Sequence, residues 1–181
     1  MRDGVLHRVR VRSPSWISYH WNTALTDRLL GIYLSDHFAG SAIARSRCSY
    51  AAAKNRGNDF GTFLERLGSD IDLDRQTLRG VIERVGTSPS RLKVGAGVVF
   101  ERMSRLKPDG RLTGYSPLTR LLEFEAFSIG VEGKRLMWVV LGDLRNPRLS
   151  AFDFGALAER AIEQRKGIEQ QRVAAARLAL G

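Results

Sequence analysis

The stretch 121–138, LLEFEAFSIGVEGKRLMW, constrains the fold more than any other part of the chain. Leu121, Leu122, Phe124, Phe127, Ile129, Val131, Leu136, Met137 and Trp138 put apolar side chains on more than one face of a helix, and a helix apolar nearly all round is buried. Glu125 and Glu132 fall on the line Leu118, Leu122, Glu125, Ile129, Glu132, Leu136, whose i, i+3/i+4 spacing marks a face expected to meet a core. A carboxylate placed there must find a cation, a metal, hydrogen-bond donors or a proton, because burying it bare costs several kcal/mol. These residues predict an all-helical bundle with a polar layer inside it.

The rest of the chain supplies the other helices. One is expected from Thr23 to Lys54 on the stripe Leu30, Tyr33/Leu34, His37, Ser41, Ala44, Cys48, Ala51, and Asn55-Arg56-Gly57 ends it. Asn58 or Asp59 caps a second, whose stripe Phe60, Leu64, Leu67, Ile71, Asp74, Leu78, Val81, Val85 stops at Gly86. The short joint makes these two antiparallel neighbours. Ser88-Pro89 starts a shorter helix to about Leu106, and Ser116-Pro117 repeats the signal for a long one to about Leu144. After Asn146-Pro147 a last helix opens at Asp153, with Phe152 and Leu157 spaced as a hydrophobic staple. Two long helices, a connection of about 30 residues and two more long helices form the order of a ferritin-like four-helix bundle with a short extra helix in its crossover.

Residues 1–23 stand apart as a basic and aromatic arm: HRVRVR, then Ser-Pro-Ser, then Trp16, Ile17, Tyr19 and Trp21. Residues 24–181 form the bundle domain. At 181 residues the chain suits one domain with a proper core. The single cysteine, Cys48, forms no internal disulfide, and no apolar run reaches the roughly 20 residues of a membrane span. With no apolar run ahead of a small-residue cleavage site, no signal peptide is expected and the protein is read as cytoplasmic. The formal charge of +10 invites nucleic acid as a partner, acting through the arm and the arginines. The basic residues alternate with acids along helices, as on a solvated face, and no binding motif accompanies them, so nucleic acid is not favoured.

Polar residues recur near the middle of the inward stripes: His37, Asp74, Glu125 and Glu132, with Arg165 and Glu169 on the last helix and Asp70 one turn before Asp74. Carboxylates and histidine from facing helices are how bundle metal sites are built. His37, Asp74, Glu125 and Glu132 are therefore the candidate ligands of a divalent metal, iron or manganese, with Asp70 and Glu169 in reserve. The spacing argues for a different use of the same residues. Di-iron carboxylate bundles need Glu-x-x-His twice, and this chain has none; it has Glu132-x-x-Arg135 and Glu169-x-x-Arg172. Arginine has no lone pair for a metal and is a good partner for a carboxylate, so a salt-bridge network fixing helix register is the favoured reading. Cys48 reads as a core residue, Asp36-His37 as a hydrogen-bonded core pair, and Gly110-x-x-x-Gly114 as a loop without the GK[ST] of a phosphate cradle.

YLSDHFAG, DIDLDRQTLRGVIERVG, ERMSRLKPDGRLTGYSPLTRLLEFEAFSIGVEGKRLMW and the Arg/Glu-rich last helix resemble a family of small bacterial proteins of the ferritin-like helical type. The resemblance covers about residues 24–180. It implies a four-helix bundle and supplies no established activity; the wider class binds iron or manganese through carboxylates and histidines. The expectation is thus a non-enzymatic structural or interaction protein. The helix near 121–138 has more apolar faces than a four-helix core requires; the short helix at 88–106, the aromatic arm or a second copy of the chain is expected to cover the surplus, and a homodimer is the favoured expectation.

Overall fold

Side chains with short polar tips set where each helix begins. In a computed structural model that describes residues 23–86, 115–144 and 146–181, four long helices form: α1 (Thr23–Lys54), α2 (Asp59–Val85), α3 (Pro117–Asp143) and α4 (Phe154–Leu180), with a 3-10 turn at Pro147–Leu149. The Asn58 carboxamide accepts from the Gly61 amide at 3.2 Å, the Ser116 hydroxyl from Thr119 at 3.1 Å, and the Asp153 carboxylate from Ala156 at 2.9 Å. Each satisfies a donor that the first turn leaves without a partner. Gly86, at φ +76°, closes α2 in the left-handed region and turns its amide onto Glu83 and Ile82. All the regular structure among the described residues is helical, and no described helix is long and apolar enough to cross a membrane. The expected helix at 88–106 and the arm at 1–23 lie outside the described residues, apart from Thr23 at the start of α1.

Two antiparallel hairpins, α1/α2 and α3/α4, make the bundle. Arg47 near the end of α1 pairs with Glu123 near the start of α3, while Leu34 shares a cluster with Trp138, so α1 and α3 also run antiparallel. Phe63 lies against Gly167 and Asp74 meets Arg160, which makes α2 and α4 antiparallel too. Asn55 bonds Tyr115 at one end of the bundle, and the Val85 carbonyl accepts from Arg148 at the other, 2.9 Å away. The two points joined by the connection between α2 and α3 are therefore at opposite ends.

The core is split into two apolar clusters. One gathers Cys48, Leu64, Leu67, Ile71, Phe124, Phe127, Val131 and Ile168; the other gathers Leu34, Leu78, Val81, Met137, Trp138, Leu141 and Phe154. On α2, residues 64 to 85 bury themselves with the predicted periodicity, Asp74 included. On α3 the expected face is corrected. Leu118, Leu122, Ile129 and Leu136 are exposed, and the buried positions are Leu121, Glu123, Phe124, Phe127, Val131, Met137, Trp138 and Leu141. Each residue turns a helix by about 100°, so a stripe one position away from the bulky aromatics points elsewhere, and Phe124, Phe127 and Trp138 bury more area than the leucines they displace.

Candidate functional site

Between the two clusters lies a charged layer drawn from three helices. Asp74, on α2, is only 4% exposed. One carboxylate oxygen accepts from Arg160 of α4; the other accepts from the Lys134 ammonium of α3 and, at 3.5 Å, from the Gln164 side-chain amide. Lys134 also donates to the Gln164 carbonyl oxygen, which links α2, α3 and α4 through one ammonium. Burial holds the Lys134 ammonium below the usual lysine range, and the charges of Asp74 and Asp70 oppose that shift. Among the described residues, the buried Arg160 Nε and the indole nitrogen of Trp138 have no hydrogen-bond partner.

A second network closes the end of the bundle where α1 stops and α3 starts. Asn55 is 1% exposed; its side-chain amide donates to the Ala51 carbonyl at 2.8 Å and to the Tyr115 hydroxyl at 2.7 Å, and its oxygen accepts from Arg120 Nε at 2.6 Å. The Tyr115 hydroxyl donates in turn to Glu123 at 2.8 Å, whose other oxygen accepts from Arg47. Burial raises the Glu123 carboxyl above the usual range and is opposed by Tyr115 and Arg47; burial is also the main reason that the Tyr115 phenol is pushed up to about 12. The Arg120 guanidinium lies 4.6 Å from the Phe60 ring centroid. This chain of contacts ties the α1–α2 turn to α3.

The residues singled out from the sequence are placed as follows. Asp74 is in the interior layer. Asp70, one turn away and half-buried, contributes its charge to Lys134. Glu132 lies at the α3/α4 edge, accepting from Arg135 at 2.7 and 3.0 Å and from Arg165 at 2.8 Å. Those contacts, Arg135 first, hold its carboxyl down to about 2. Glu125 faces Arg172 at 3.7 Å, and the same guanidinium takes Glu169 at 2.7 Å. His37 is half-buried on α1, its ring edge-on to Tyr33 at a centroid distance of 4.7 Å, and burial lowers its pKa. The structure does not bring His37, Asp74, Glu125 and Glu132 to one point: among the described residues no three His, Cys, Asp or Glu side chains form a group placed to hold a metal ion. The physical reason is the rotation of α3. Glu125 and Glu132 sit at its outer edge, where Arg165 and Arg172 reach them, while Lys134 points inward to Asp74.

Sequence reasoning missed Lys134, Arg160, Gln164 and the Asn55–Tyr115–Glu123 network. The signal for Lys134 is its position three residues after Val131 and four before Trp138, both buried. Glu123 carries the same signal, four before Phe127. Cys48 is fully buried in the first cluster and its thiol is pushed up to about 12 by that burial, as a core residue requires. No protein family, curated protein or solved structure matches this chain.

Proposed function

We propose that this chain is a ferritin-like four-helix bundle that works through its surface, as a structural or interaction protein, with its inward charges holding helix register rather than performing chemistry. The observation that carries this reading is Asp74: both of its oxygens are engaged by Lys134 and Arg160. A ligand carboxylate must offer a lone pair to the metal, and an ammonium and a guanidinium are the competitors least compatible with a second cation. Glu125, Glu132 and Glu169 are likewise turned onto arginines. The ferritin-like part of the reading is supported by the connection between opposite ends after the second helix.

Elemental analysis of untagged protein, with thermal melts in Mn²⁺, Fe²⁺ and Zn²⁺, tests it. The expected result is no metal at a fixed ratio and no shift in Tm. Stoichiometric metal with a raised Tm, both lost in Glu125→Ala, would overturn the reading in favour of a carboxylate metal site.

A further inference from the structure

The outer face of α3 carries an apolar strip that the bundle's own core does not use. Leu122, Ile129 and Leu136 recur every seven residues, and Ala126, Gly133 and Val140 recur every seven between them, the seam of a heptad pattern. Leu122, Leu136 and Val140 are exposed, and Ile129, at 74%, is the most exposed large apolar residue of α3. Around Ile129 the surface is low: a Cβ added at Gly130 or Gly133 would meet nothing within 4 Å.

The large aliphatic positions of the strip also form a palindrome. Leu122 and Leu136 stand seven positions either side of Ile129, and Leu118 and Val140 stand eleven either side. A two-fold contact requires this symmetry, since residue i meets residue j while j meets i. Turned antiparallel about Ile129, a second α3 sets Leu122 on Leu136 and Leu118 on Val140. It sets Glu125 against Gly133 and Glu132 against Ala126, small residues on both counts, so the glutamates do not oppose each other. Glu125 and Glu132 stay paired with Arg172, Arg135 and Arg165 along one edge, forming a polar rim.

We propose that this strip is the interface between two copies of the chain, packed antiparallel through α3 with Ile129 at the two-fold axis. The inference rests on the proposed function only in placing the working part on the surface. From Leu118 to Val140 the strip is about 33 Å long and one helix, about 10 Å, wide, on the order of 300 Å². A standard interface takes about 800 Å² from each partner, so the dimer should be weak and dissociate in the micromolar range.

Sedimentation equilibrium of the full chain tests the partner, and disulfide formation tests the geometry. The wild-type chain is expected to show a monomer–dimer equilibrium, and Ile129→Glu to be monomeric with unchanged helical circular dichroism. Cys48 is buried, so in native protein an introduced cysteine is the reactive one. Leu122→Cys mixed with Leu136→Cys is expected to give a disulfide-linked dimer at least tenfold faster than Leu122→Cys alone. A wild-type monomer at hundreds of micromolar, an undiminished Ile129→Glu dimer, or equal linkage by Leu122→Cys alone would each overturn the proposal. If the strip were instead covered by another segment of the same chain, the wild type would be monomeric and Ile129→Glu would lower its Tm. None of these readouts involves metal, so a failed dimer and a failed metal-free reading are distinguished.

Discussion

At the scale of the residue, the consequence of the interior layer is that its members stabilise one another and none is stabilising alone. Asp74 holds two cations in a setting where it is itself almost inaccessible. Removing one partner of a buried ion pair leaves the other uncompensated, at a cost of about 3–5 kcal/mol, whereas replacing the pair by apolar groups of similar volume is often neutral. Asp74→Ala should therefore lose about 3–5 kcal/mol in urea unfolding, while Asp74→Leu combined with Lys134→Met should lose far less, because Arg160 is exposed enough to turn to water. Equal losses in the two variants would mean that the layer does not act as a coupled unit. The aspartate was legible in the sequence because it interrupts an otherwise apolar α2 stripe. Its cations were not, because lysine and arginine carry stems long enough to reach inward from positions that look peripheral.

At the scale of the element, the α1–α2 turn and the α3/α4 seam show opposite uses of local chemistry. Gly61 sits so close to the Asn55 carbonyl that a Cβ there would collide with backbone, which cannot give. Gly61→Ala should cost about 1–3 kcal/mol, as overpacking does. Gly133, in open space on α3, is the contrast: Gly133→Ala should raise monomer stability by about 0.5–1 kcal/mol through helix propensity. Chemical denaturation of both variants, at a concentration where the chain is monomeric, checks the pair. Along the α3/α4 seam, Glu132 is held down to about 2 by Arg135 and Arg165. A folded-state pKa below the unfolded value of 4.5 gives stability that is present above pH 4.5 and is lost as pH falls toward about 2. The Tm difference between wild type and Glu132→Gln should be positive at pH 6 and close by pH 2. Helix boundaries were legible here to within about a residue, since caps are local: Ser116, Asp153, Asn58 and Gly86 act through neighbours in the chain.

At the scale of the whole molecule, all four helices pass from one apolar cluster to the other, with the charged layer between them. Continuous helices couple the two clusters, so the bundle should unfold in one step despite its polar waist. Trp138 fluorescence reports the second cluster and Cys48 thiol reactivity the first. In a Trp16→Phe/Trp21→Phe background, their urea midpoints should coincide. Separated midpoints would show that the layer divides the bundle into two folding units.

The amino-acid sequence by itself determined the helical class, the ends of the long helices, the buried stripe of α2 and the core placement of Cys48. Each follows from periodicity or capping, which are set by residues within a few positions of one another. Only the tertiary structure decided which stripe of α3 faces inward, and with it the destination of every charge. The heptad-spaced leucines and the aromatics of α3 are both acceptable core faces to a helix alone. Packing against α1 and α4 selected Phe124, Phe127 and Trp138, turned Glu125 and Glu132 to the edge, and brought Lys134 and Arg160 to Asp74 from other helices. That choice depends on burial summed over four helices, and no window along one of them contains it.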